Sequence, residues 1–412
     1  MAELKPFCCI RPREDLVEKI AALPYDVVNR KEAKEIVTEN AYSFLKIDRA
    51  ETQLDDCVDI YSDIVYEKAR DTLQEMMEDG SFLTEESPCY YIYELTMHGR
   101  AQTGIVGCAS VDDYLNNCIK KHENTKPEKE LDRIRHVDTC GAHTGPIFLA
   151  CRKNNRLSQI QEEEKRKPPL YAFVADDGIG HRVWKVDEEQ TMQEIQILFE
   201  KTPELYIADG HHRAASAVKA ALKRRAEIKD CTGREEFNYF LSVVFADQEL
   251  MIMDYNRFVH DLNGWSTKEF LKLLEDNFLV EEVGQEVYKP KKKGEIGMYV
   301  EHKGYCLTLR SVEKENDPTE SLDVSQLQKK VLIPILGIQD PKTDPRIEFI
   351  GGIRGLSALK QRVDQCEEGV AFAMYPTSMQ ELFEVADAGL LMPPKSTWFE
   401  PKLRSGLFIH RF

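Results

Sequence analysis

Apolar and polar positions alternate along the chain with two different periods. Leu205-Tyr206-Ile207-Ala208 is a short continuous apolar run, which predicts a buried strand. Asp209-Gly210 ends it, and Ala214, Ala215, Val218, Ala221 and Leu222 then recur at helical spacing. The same reading predicts strands over Leu4 to Ile10, Ser43 to Ile47, Pro146 to Ala150, Ala172 to Ala175, Arg182 to Val186, Tyr239 to Ala246 and Leu250 to Tyr255. Cys89 to Thr96 and Gln102 to Ala109 predict a hairpin turning at His98-Gly99-Arg100. Helices are expected over Glu32 to Thr38, Asp56 to Met77, Thr191 to Glu200, Thr267 to Asn277, Val324 to Val331 and Met379 to Ala388. Strands over 297–300, 305–309, 347–352 and 370–375 complete the later part. Residues 122–145 hold too few apolar side chains for a core element, and read as a polar connection into the next strand.

This mixture predicts an α/β (α+β) protein of two lobes. At 412 residues the chain is long enough for two domains with sizeable cores. The expected division is 1–258, carrying an insertion over about residues 50–200, and 259–412, whose last segment (392–406) returns to the site. The cleft between them is the expected active site.

The charge sum of 55 Lys and Arg against 72 Asp and Glu is −17. That balance disfavours nucleic acid, whose backbone calls for clustered cations. Eleven Cys are scattered without a Cys-x-x-Cys pair, so structural zinc and a disulfide framework are not expected. Cys8 and Cys9 sit in an apolar run and read as core thiols. No stretch reads as a signal peptide or as a bilayer span, and a reduced cytoplasm is the expected location.

The candidate chemistry gathers where the strand 205–208 meets its helix. Free backbone N–H groups and the positive pole of a helix favour a bound anion. Gly210 admits close approach, and Arg213 can fork onto phosphate or carboxylate, while His211 and His212 should resist protonation there. The bland alternative is that Asp209 only caps the helix and the histidines are buried rings. Within 122–145, His122, Thr125, Arg133 and His143 are candidates for contact with a nucleotide or its metal, against the alternative of a solvated charged face. Near the end, Lys395, Ser396, Thr397 and Trp398 are presented between prolines, with a docked terminal strand as the alternative.

Four stretches together resemble the DUF1015 family of uncharacterised function: Pro24-Tyr25-Asp26-Val27, Gln102-Thr103-Gly104-Ile105, Ile207 to Arg213, and Met392 to Gly406. That family in turn resembles the free serine kinases of the ParB/sulfiredoxin-like superfamily, which phosphorylate L-serine to O-phosphoserine with ATP or ADP. The resemblance implies a ParB/sulfiredoxin-like N-terminal domain. It implies Glu14 as the catalytic carboxylate in Arg11 to Leu16, with Asp209 and His211 beside it. Gly210, His212 and Arg213 would hold phosphate, and Lys395, Ser396, Thr397 and Trp398 the substrate. Mg²⁺ would accompany the nucleotide, with its protein ligands left open. The expected partner is free serine or a similar hydroxy amino acid, with no membrane and a homodimer as the candidate assembly. Two alternatives stay open: a nucleotide-gated switch without kinase activity, and a metal-dependent hydrolase using Asp209, His211, His212 and a further histidine from 122–143.

Overall fold

The computed structural model describes residues 1–310, 317–366 and 368–412. It is mixed α/β and divides into two compact units, Met1–Leu250 with Pro401–Phe412, and Met251–Glu400. The first division thus falls at 250/251, against the 258/259 read from the sequence, and a second at 400/401 returns the last twelve residues to the first unit.

The strands of the first unit, in chain order, are β1 (Leu4–Lys5), β2 (Cys9–Pro12), β3 (Phe82–Thr84), β4 (Tyr90–Met97), β5 (Arg100–Ser110) and β6 (Ile119–Lys120). They continue with β7 (Ala142–His143), β8 (Ile147–Cys151), β9 (Tyr171–Val174), β10 (Gly180–Val186), β11 (Leu205–Asp209) and β12 (Tyr239–Ala246). Nine form one sheet in the order β6-β11-β8-β12-β5-β4-β10-β9, with β1 paired to β5. The β6–β11 and β8–β12 pairs are parallel and the rest antiparallel. Continuous apolar runs in β8, β11 and β12 follow from burial on both faces. A second sheet has the order β3, β2, the C-terminal strand Ile409–Arg411, then β7.

The helix His211–Glu227 packs Ala214, Ala217, Val218 and Ala221 into the cluster that holds Leu149, Ile207, Phe240 and Val244. Its alanines are strong helix formers and small enough to sit close to a sheet. Arg224 and Arg225 occupy its last turn, where cations suit the helix dipole. Arg224 also donates to Asp138 of the neighbouring helix Pro127–Cys140.

In the second unit, six antiparallel strands run in the order Phe278–Gly284, Lys303–Leu309, Glu295–Val300, Val370–Ala373, Tyr255–Val259 and Ile347–Gly351. A two-stranded ribbon pairs Ile252–Met253 with Trp398–Phe399.

Several expected elements differ. The run Ser43 to Ile47 is not a strand: Leu45–Asp48 is a helical turn that buries Leu45 and Ile47. Leu4 to Ile10 is two strands, because Pro6 cannot donate to a ladder. Cys8 falls in the break and is exposed, whereas Cys9 is buried. The helix expected from Asp56 starts at Asp63; before it, Asp55 and Asp59 cap turns by accepting from the N–H groups of Cys57 and Tyr61. Residues 250–255 form no single strand, since Ile252–Met253 and Tyr255–Val259 join different sheets. Most informative is 122–145, which is a core element: Pro127–Cys140 is a helix with Pro at its first turn and Gly141 as a left-handed cap. It buries the polar Glu130, Arg133 and His136 alongside Cys140.

Candidate functional site

β11 ends at Asp209, and Gly210 turns the chain with φ +90° into the helix that starts at His211. Gly210 occupies the cap position and has no side chain with which to cap the helix. Asp209, one residue earlier, is therefore not the cap residue. Asp209 faces two cations. Lys402 Nζ lies 3.2 Å from its Oδ2, and a guanidinium nitrogen of Arg213 lies 3.8 Å from the same oxygen. Burial alone would raise the Asp209 carboxyl; Lys402 and then Arg213 outweigh it and hold it well below the usual carboxylate range.

Arg213 folds back across Gly210, whose missing Cβ would stand 3.1 Å from the guanidinium. Its Nη1 donates to the Pro146 carbonyl at 2.6 Å. The arginine is thus anchored against β8 while it covers the helix start.

Burial keeps His211 and His122 neutral, and their rings pack together. His211 and His122 meet edge to face, ring centres 4.5 Å apart, and the His122 backbone N–H points at His211 Nε2 at 3.5 Å. Burial lowers His122 to about 4 and pushes His211 further down, with His122 adding to the shift of His211. His212 Nε2 accepts from the Lys126 N–H at 3.0 Å. Thr125 donates to Glu130, which also pairs with Lys219 of the long helix. So 122–130 is bolted to the helix start by polar bonds.

Arg133 and His143 lie with Arg213 around a small cavity of about 30 Å³, together with Tyr25, Asp48 and Thr144. Arg133 rests over the Tyr25 ring at 4.1 Å and donates to Asp132 at 2.8 Å. A larger cleft of about 220 Å³ shares Tyr25, Asp48, Arg133 and His136 with that cavity.

Glu14 lies in an exposed turn after β2, and its charge acts on the Tyr171 phenol. It is not among the residues lining the cavity. Lys395, Ser396, Thr397 and Trp398 belong to the second unit. There the Ser396 hydroxyl donates to the Pro393 carbonyl at 2.7 Å, and the Lys395 ammonium lies over the Tyr255 ring at 5.5 Å. Trp398 packs against Tyr255 at 4.9 Å. The cation that meets Asp209 is Lys402, seven residues beyond Lys395. The run Pro401-Lys402 was the only local signal for it.

The family described as a protein of unknown function, DUF1015, matches residues 4–325. The chain belongs to the DUF1015 family. The DUF1015 match takes in Glu14, the helix start and the cavity residues Tyr25, Asp48, Arg133, His143, Thr144 and Arg213, and ends before Lys395. No curated protein matches the chain. Among solved structures, SbnI with C-terminal truncation from Staphylococcus aureus is similar at 12% identity and TM-score 0.37, over 74% of this chain and 87% of that one. A free serine kinase in complex with AMP is similar at 16% identity and TM-score 0.35, over 74% and 91%. A conserved hypothetical protein from Pyrococcus furiosus is similar at 16% identity and TM-score 0.33, over 74% and 94%.

No helix among the described residues is long and apolar enough to cross a membrane. Among them, too, no three His, Cys, Asp or Glu side chains are grouped to hold a metal ion.

Proposed function

We propose that this protein is a small-molecule kinase that passes a phosphoryl group from ATP or ADP to the hydroxyl of free L-serine, giving O-phosphoserine. The observation that carries the reading is the helix start itself: a left-handed Gly210 at the cap position, the positive pole of a seventeen-residue helix behind it, and Arg213 folded over it. Phosphoryl transfer asks a protein chiefly to position groups and to neutralise charge. Backbone N–H groups and a guanidinium do both for a phosphate. Neutral His211 and His122 offer hydrogen bonds without adding charge that would compete with Arg213.

In this reading Asp209, ionised between Lys402 and Arg213, orients the acceptor hydroxyl, and Glu14 takes its proton. A general base contributes roughly 10²–10⁴-fold to such a step. The protein groups at the helix start do not by themselves make a Mg²⁺ cage, since the one carboxylate there is engaged by cations and the histidines suit softer metals. Mg²⁺ would arrive on the nucleotide phosphates, and no step here depends on it.

Free serine kinase has been solved with AMP and with ADP; the reading for this chain rests on the helix start and not on that likeness. The test incubates pure protein with Mg²⁺, ATP or ADP, and a panel of free hydroxy amino acids. Phosphorus NMR should show a new phosphomonoester with serine. Nucleotide binding with no product in any tube would replace this reading by the nucleotide-gated switch.

A further inference from the structure

Strand pairing places His143 of β7 opposite His410 of the C-terminal strand. The two rings stack with centres 5.5 Å apart and a 22° tilt, and their Nδ1 atoms are 3.3 Å apart. On its outer side, His410 Nε2 lies 2.8 Å from Oε2 of Glu236, whose side chain is 49% exposed. Oε1 of the same carboxylate accepts from Lys5 at 2.9 Å.

The hydrogens can be placed by elimination. An ionised carboxylate only accepts, so His410 Nε2 carries a hydrogen. The hydrogen bond from His410 holds the Glu236 carboxyl down to about 2, which keeps it ionised at neutral pH. Burial keeps His410 neutral, so its Nδ1 is bare. Two bare nitrogens would repel at 3.3 Å, hence His143 donates from Nδ1. Its Nε2 is then a lone pair. That atom is buried and has no hydrogen-bond partner, and His143 lines the 30 Å³ cavity beside Arg213.

We propose that Glu236, His410 and His143 form a proton relay from solvent to this cavity, and that the cavity's occupant in the free protein is a hydrogen-bond donor, water. A cavity of about 30 Å³ exceeds the roughly 10–15 Å³ that one water needs, so it admits water. A proton leaving the occupant forms the Nε2–H bond of His143. The Nδ1–H bond of His143 breaks as that proton moves to His410 Nδ1, and the His410 Nε2 proton passes to Glu236 and on to solvent. Nothing is oxidised or reduced, and the reverse sequence delivers a proton inward.

The surroundings polarise the relay. Arg133 and Arg213 on the cavity wall and Arg224 nearby oppose a positive charge at the inner end. Asp48 opposes them, His136 also faces the cavity, and Lys5 competes for Glu236 at the outer end. A gained proton therefore resides on His410 beside Glu236. Gaining it converts the cavity-facing nitrogen of His143 from acceptor to donor, next to the arginine that covers the helix start.

The test is nitrogen-15 NMR of the full chain labelled at histidine, at pH 7.5 and without nucleotide. Expected are His143 protonated at Nδ1 only, His410 at Nε2 only, and a cross-peak from His143 to a long-lived water. A proton on His143 Nε2, or no water contact, would overturn the proposal. In Glu236→Leu, whose fold is checked by amide spectrum, the His143 signals should shift from the single Nδ1–H form although residue 236 does not touch that ring. An unchanged His143 spectrum would also overturn it. Neither readout involves phosphoryl transfer, so failure of the kinase reading leaves this one standing or falling on its own.

Discussion

Lys402 and Asp209 are 193 positions apart in the chain and meet at 3.2 Å. The C-terminal segment thereby sets the charge state of the residue that precedes the helix start. Arg404, two residues on, donates to His181 Nε2 at 3.2 Å and pairs with Asp177. Ser405 exchanges backbone hydrogen bonds with Ala22. The last twelve residues are thus part of the first unit's interior.

Replacing Lys402 by Met should lower stability by about 1–2 kcal/mol, toward the lower part of the range for bonds to charged groups because Asp209 remains partly solvated. Asp209 titrates below its ordinary value, so its contribution is complete above about pH 4 and is lost as pH falls toward the folded value. Denaturant melts of Lys402→Met, Asp209→Asn and the double variant should show coupling between the two. Asp209→Asn should also have a shallower decline of stability below pH 4.

Buried histidines set a second pH dependence. Burial, then the Arg404 guanidinium, lowers His181 to about 3, while the Tyr93 hydroxyl bonds its other nitrogen at 2.8 Å. The unfolded ring titrates near pH 6.5, so the unfolded state binds more protons as pH drops below that value. Stability is therefore full above about pH 6.5 and falls by about 1.4 kcal/mol per pH unit for each such ring. His181→Phe should flatten the slope between pH 6 and 4 by roughly that amount, measured by urea melts. An unchanged slope would mean that His181 is protonated in the folded protein.

Cutting the chain after Glu400 should abolish the first unit's fold. Leu403, Leu407, Phe408 and Ile409 are all buried, and each is worth about 1.5–3 kcal/mol. Together they rival the whole stability of a typical domain. The C-terminal strand also links β2 to β7, and its loss would part that sheet. Circular dichroism and hydrogen exchange of the truncated chain should show loss of cooperative unfolding.

What could be read from the sequence was local. Residues 205–213 carry strand, turn and helix signals within nine positions, and the 90–110 hairpin has its apolar runs on both sides of His98-Gly99, where φ is positive at both residues. The turn at 43–48 was not legible, because so short an apolar run has no period to separate strand from helix. The helix 127–140 was missed for another reason. Its buried charges are compatible with a core only because distant groups receive them: Arg133 meets the Tyr25 ring and the Asp48 carbonyl, and Glu130 meets Lys219. Nothing near 133 in the chain announces those partners. The place of Lys402 beside Asp209 was not legible either, since neighbouring lysines look alike until the fold selects one.

The central claim is that the start of helix His211–Glu227 holds phosphate through its N–H groups and Arg213. Titration calorimetry of ADP with the wild-type protein and with Arg213→Gln, both verified by thermal melt, tests it most directly. The account predicts binding by the wild type and at least a tenfold weaker affinity for the variant, about 1.4 kcal/mol or more. Equal affinity of the two proteins for ADP, or no binding by either, would contradict it.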